Sequence, residues 1–246
     1  LLLMPFLLVG CSSTTNRQGV FPGTPYSSVI PKAITDTTQW DTDDPAIWIN
    51  HRNPRESLVL GTDKNQDGAV YAFDLKGHVV KVCRGLERPN NVDIAYGFEF
   101  NHRMIDIAVV TERLNQRIRV LSLPELELID QGDLVVFDEN RERAPMGIAL
   151  YKRPGDHEGI SIYKLDNQSG YILISDQQAN RFRIYTREGT PQDPDEHKLL
   201  KIIGANATQS DGSEVTSHNL PGYRDGLFVV MSDDKTFHYY DKRVIA

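Results

Sequence analysis

Acidic residues recur at matching places along this chain, each at the end of a short apolar run. Leu58-Val59-Leu60-Gly61-Thr62-Asp63, Ile107-Ala108-Val109-Val110-Thr111-Glu112, Tyr171-Ile172-Leu173-Ile174-Ser175-Asp176 and Leu227-Phe228-Val229-Val230-Met231-Ser232-Asp233 all close on a hydroxyl residue and an acid. The four acids stand 49, 64 and 57 residues apart. A single Asp at such a place starts a turn; four at equivalent places point to a shared role. Two further acidic groups are Asp43-Asp44-Pro45 and Asp156-His157-Glu158. Adjacent carboxylates repel, and a shared divalent cation removes the conflict. Such clusters offer the oxygen donors that a hard cation takes, whereas imidazole suits it poorly, so His157 reads as structural. Lys64 and Arg113 directly follow Asp63 and Glu112. They put a point charge and a planar fork, both suited to phosphate oxygens, beside the acids.

The elements that would position these groups are strands. Each apolar run is followed, after a polar turn, by a second one: Ala69-Val70-Tyr71-Ala72-Phe73, Arg117-Ile118-Arg119-Val120-Leu121, Arg181-Phe182-Arg183-Ile184-Tyr185 and Phe237-His238-Tyr239-Tyr240. No stretch between them holds a helical period over three turns. Repeats of this length, with several short strands each, are the mark of propeller blades. The expectation is an all-β chain with four recognisable four-stranded units. Acids at one point of each unit would then converge at one mouth.

Composition removes other classes. Of 246 residues 39% are hydrophobic and 25% charged, as in a folded globular protein. Lys+Arg total 27 against 34 Asp+Glu, a net charge of −7 that argues against a basic nucleic-acid-binding surface. No apolar run reaches the ~18 residues of a spanning helix. Two cysteines, with no C-x-x-C or H-E-x-x-H, argue against zinc and against a disulfide framework. Leu1 to Gly10 is apolar and uncharged, and Leu8-Val9-Gly10-Cys11 resembles the lipobox of bacterial lipoproteins, with Cys11 as the acylated residue. A positive region and a starting Met are absent, so the sequence reads as truncated at its start. The Ser-, Thr-, Pro- and Gly-rich stretch to about Thr38 reads as a tether. The expected division is a signal remnant over 1–10, a tether over 11–38 and one domain over 39–246. The expected protein is an exported, lipid-anchored monomer of the bacterial cell envelope, touching membrane only through its anchor.

Asp43-Asp44-Pro45-Ala46-Ile47-Trp48, Asn90-Asn91-Val92-Asp93-Ile94 and Asp156-His157-Glu158-Gly159-Ile160 together resemble the β-propeller phytases, a bacterial 3-phytase family. The match in spacing continues through Thr62-Asp63-Lys64, Thr111-Glu112-Arg113 and Ser175-Asp176-Gln177, and covers roughly residues 40 to 241. The resemblance implies a six-bladed propeller that removes phosphates from myo-inositol hexakisphosphate (phytate) with bound calcium. By similarity Asp44, Asn91 and the Val92 carbonyl help hold one calcium. Asp43, Asp156, Glu158, Gln177, Asp211 and Asp233 are the further candidate ligands. Lys64 and Arg113 are the substrate-binding candidates and, with Glu158, the catalytic ones. The implied reaction is metal-assisted hydrolysis, water attacking phosphorus while cations neutralise its oxygens. No G-x-S-x-G, P-loop or His-based phosphatase motif suggests a covalent route.

The chain departs from the family by its length. Met146 to Pro154 continues the second unit, and Gly155-Asp156-His157-Glu158-Gly159 already resembles the start of a fifth blade. The third and fourth blades are missing between Pro154 and Gly155. Two other classes therefore stand beside the hydrolase: a noncatalytic propeller scaffold binding calcium or phosphorylated ligands, and a sugar-lactone hydrolase with one central metal. Turnover separates the first from an enzyme, and dependence of phosphate-ester turnover on Lys64 separates the second.

Overall fold

Short runs of β-branched and aromatic residues, broken by Gly, Asp and Asn, favour strands over helices. A computed structural model describes residues 27–132, 134–136, 144–148, 150, 162–166, 169–193 and 196–245. The chain begins with β1 (Ser27–Val29) and β2 (Ala33–Ile34). The first sheet follows, in the order β3 (Thr42–Trp48), β4 (Leu58–Asp63), β5 (Gly68–Phe73) and β6 (Val79–Leu86). The second is β7 (Pro89–Phe100), β8 (Arg103–Glu112) and β9 (Arg117–Leu123). The third contains β10 (Ile162–Lys164), β11 (Gly170–Asp176), β12 (Arg181–Thr186) and β13 (Leu199–Ala205), with β1 parallel to β13 at its edge. The fourth is β14 (Ser213–Thr216), β15 (Leu227–Ser232) and β16 (Thr236–Asp241), with β2 outermost. Helix among the described residues amounts to three single 3-10 turns. The described part of the chain is all-β, and its sheets are propeller blades.

Two details differ from the sequence reading. The sheets have four, three, five and four strands rather than four each. Among the described residues, the edge of β9 meets isolated bridges rather than a fourth strand, Arg117 to Val135 and Leu121 to Leu128. Within the segment expected to be a tether, β1 and β2 are already strands. They are two or three residues long, too short to show a period, and their order comes from partners far along the chain. Ala33 and Ile34 pair with Tyr239 and His238, so the start of the described chain completes its last blade.

Three apolar cores fix the order of the blades. Trp48, Leu60 and Val70 of the first sheet pack with Val92, Ala108 and Leu121 of the second. On the other face of the first sheet, Val59 and Phe73 pack with Val229, Phe237 and Tyr239 of the fourth. The fourth then packs Phe228, Val230 and Tyr240 on Phe182, Ile184 and Ile203 of the third. Fully burying side chains of this size contributes about 1.5–3 kcal/mol each. At Gly61 the approach is close enough that a Cβ would stand 2.1 Å from the Phe237 ring.

Two hydroxyls of the hydroxyl-plus-acid repeat, those of Thr62 and Ser175, staple one blade to the next. Thr62 Oγ1 donates to the Asn90 carbonyl of the second sheet at 2.7 Å, and accepts the Asp44 N–H at 2.9 Å. Ser175 Oγ donates to the Ser210 carbonyl, just ahead of β14, at 2.7 Å. Thr111 Oγ1 accepts the Asn91 N–H at 3.0 Å and reaches the Met146 carbonyl at 3.4 Å. Thr62 is fully buried, so Thr62→Val strands both partners away from water. An unsatisfied buried group costs about 1–3 kcal/mol, and chemical denaturation should show a loss in that range or above. An unchanged midpoint would contradict the staple.

Candidate functional site

The innermost strands β3, β7 and β14 run in the same direction. Their starts meet: Val92 N–H donates to Asp44 Oδ2 at 3.1 Å, and Gly212 lies directly against Asp43 and Asp44. A Cβ on Gly212 would be 2.5 Å from the Asp43 carbonyl oxygen and 2.9 Å from Asp44 Oδ1, so only glycine lets Asp211 approach this pair. Toward the other end the same elements meet again: the His51 ring, past the end of β3, lies 5.3 Å from Tyr96 within β7 and 5.4 Å from His218, past the end of β14. The acidic group therefore marks one end of the blade axis.

Lys64, the residue after β4, sits in the middle of this group. Its ammonium is 2.6 Å from Asp43 Oδ1 and 3.9 Å from both Asp41 and Asp211. Burial pushes the Asp43 carboxyl up, with the Lys64 hydrogen bond and charge pulling against it. Asp44, beside it, is pushed up to about 7, chiefly by burial, against the Val92 N–H and the Asn91 side chain. Asp93 is raised for the same reason while accepting the Leu150 N–H at 2.6 Å. Asn90 Nδ2 donates to Asn91 Oδ1 at 2.8 Å, and the buried Asn90 Oδ1 has no hydrogen-bond partner among the described residues.

These donors suit a hard cation. They are carboxylate and amide oxygens with crowded negative charge, and an orphaned amide oxygen lies one hydrogen bond from Asn91. Among the described residues, no three Asp, Glu, His or Cys side chains are already grouped as a metal shell. The fit is one of donor chemistry.

The sequence-predicted residues divide accordingly. Asp43, Asp44, Asn91, Val92, Asp211 and Lys64 are brought together, with the Val92 N–H making a contact to Asp44. Arg113 occupies the place on β8 that Lys64 has on β4. Arg113 N–H donates to the Arg88 carbonyl at 3.1 Å, as Lys64 N–H does to Asp41 at 2.6 Å. Among the described residues Arg113 makes no ion pair. Gln177 instead turns to the Gln209 carbonyl at 3.5 Å, and Asp233 is exposed in the β15–β16 turn with its N–H on Thr208. Neither makes a described contact with the acidic group. Asp156, Glu158 and Cys11 lie outside the described residues.

Convergence of the four strand-end acids is corrected. β4, β8, β11 and β15 are second strands of their blades, one position out from the axis. Asp63 there accepts the Trp40 and Asp41 N–H groups, the latter at 2.6 Å, and Glu112 accepts the Glu87 N–H at 2.7 Å. Both hold the loop that enters the inner strand of their own blade. Asp176 pairs with Arg181 at 2.8 Å and Arg183 at 3.2 Å, which hold its carboxyl below the usual range. Sequence reasoning missed Asp41, Asn90 and Asp93. Asp41 had a signal, because alternation on an extended chain puts it on the same side as Asp43.

A family model described as Phytase matches residues 8–125 and 146–239. The 3-phytase of Bacillus subtilis (strain 168) is 35% identical over 318 residues, covering 89% of this chain and 81% of that protein. Since 89% of 246 residues is about 219, about 100 of those 318 aligned positions have no counterpart in this chain. Among solved structures, the computationally designed Ika4 protein aligns over 84% of this chain and 94% of its own at 11% identity, with a TM-score of 0.28. A likeness that low carries no argument.

Proposed function

The chain belongs to the phytase family, and from that premise we propose that it is a calcium-dependent phosphomonoester hydrolase acting on phytate. The observation that carries the reading is the gathering of Asp43, Asp44, Asn91, Asp211 and Lys64 at one end of the parallel inner strands. Asp43, Asp44, Asn91 and Asp211 would supply oxygen ligands to the metal. Calcium there supplies positive charge to phosphate oxygens that a protein of net charge −7 would otherwise repel. Lys64 and Arg113, at matching strand ends, add fixed positive charge on the same side of their blades. The signal remnant, the acylated Cys11 and an address in the bacterial envelope belong to the same proposal, as does a monomer.

One observation favours the scaffold alternative: about 100 positions of the relative have no counterpart in this chain. The first test separates a calcium protein from one that ignores the ion. Ligand binding to the folded state alone raises stability by RT ln(1 + [L]/Kd). The melting temperature should therefore climb with calcium and fall back on chelation. A melting temperature indifferent to both would remove calcium from the account.

A further inference from the structure

A single ammonium stands among three carboxylates at the candidate site. Lys64 Nζ is 2.6 Å from Asp43 and 3.9 Å from Asp41 and Asp211. The side chains of Lys64 and Asp43 are only 17% and 8% exposed, so water screens this pair weakly. The backbone that carries the group is held in place. The Lys64 N–H is tied to the Asp41 carbonyl, Gly212 presses on Asp43, and Thr42 Oγ1 donates to the Ser232 carbonyl at 2.7 Å. The lysine stem, by contrast, can swing its point charge away by rotation about its own bonds.

Arg113 makes the comparison. It has the same place after β8, and Glu112 before it is held by a loop N–H as Asp63 is, with Arg119 at 3.3 Å besides; yet among the described residues Arg113 itself faces no carboxylate within ion-pair distance. The crowded carboxylates, and the cation among them, belong to the first blade's side of the site.

We propose that Lys64 is a tethered stand-in for the metal. Without calcium its ammonium neutralises Asp41, Asp43 and Asp211; calcium arriving at those carboxylates displaces it, and the released ammonium becomes available to a phosphate group. The inference rests on the calcium reading above and adds its regulation. It has two consequences. Calcium must compete with a built-in cation, so its affinity is lower than the carboxylates alone would give. The site also orders its own filling, because Lys64 reaches phosphate only once metal has taken its place.

The test compares wild type, Lys64→Met and Lys64→Arg by calorimetric calcium titration and by melting in chelator. Lys64→Met should bind calcium about tenfold more tightly, since it removes one competing charge at close range. Its metal-free melting temperature should fall, because the carboxylates lose their cation. Lys64→Arg, which keeps the charge, should bind calcium no more tightly than wild type. If Lys64→Met does not fold without metal, its affinity is read by chelator competition from the calcium-loaded protein. Wild-type or weaker calcium affinity in Lys64→Met would overturn the role of Lys64 while leaving the calcium reading intact. A wild type that binds no calcium would overturn both.

Discussion

Asp44→Ala is expected to reduce phosphate release from phytate by about 10²-fold and to flatten the calcium dependence of the melting temperature. The scale follows from the usual effect of losing groups that hold or orient a metal, on the order of 10–100-fold in affinity or activity. Asp44 is the carboxylate at which β3 and β7 meet, accepting the Val92 N–H at 3.1 Å with the Asn91 side chain beside it. Its removal also leaves that N–H unpaired, so metal-free stability should drop modestly. Asp44→Asn separates the two effects, because it keeps the shape and removes the charge. In both variants part of the activity should return at high calcium, since a weakened site is refilled by mass action. Full wild-type calcium dependence in Asp44→Ala would remove this residue from the metal site.

Arg113→Ala should behave in the opposite way, losing turnover and keeping stability. Arg113 follows the end of β8, is half-buried and has no ion pair among the described residues. Loss of one preorganised donor to a charged transition state typically costs about 10²–10³ in rate. The melting temperature and its calcium response should stay close to wild type. Measuring phosphate release and melting for both variants across one calcium titration separates substrate contact from metal contact. Near-normal turnover in Arg113→Ala would show that the substrate site does not extend to the second blade.

The four central hairpins were legible in the sequence because each pairs two runs across a polar turn. β4 with β5, β8 with β9, β11 with β12 and β15 with β16 are adjacent antiparallel pairs. The repeat showed that Thr62, Thr111 and Ser175 are equivalent, but not how far each strand lies from the axis. Radial position is set by which strand packs against the next blade, which periodicity does not encode. The acids were therefore expected at the mouth, whereas Asp63 and Glu112 hold entry loops one strand away. Asp43 and Asp44 were legible as adjacent carboxylates, Asn91 came from the family resemblance, and the structure brings them together. The meeting of Asp211 with Lys64 depends on contact between sheets distant in sequence, permitted by the missing side chain of Gly212. β1 and β2 were hidden because a strand of two or three residues draws its order from a partner, here the blades at the far end of the chain.

The central claim is catalysis by a chain that lacks a stretch its relative has, and phosphate release tests it most directly. The full chain is incubated with phytate in calcium, in chelator, and in chelator followed by excess calcium, and inorganic phosphate is measured over time. The account predicts release with calcium, none above background in chelator, and recovery when calcium is returned. A protein whose melting temperature rises with calcium while phosphate release stays at background in all three conditions would contradict it, and would identify the chain as a calcium-binding scaffold built on a phytase frame.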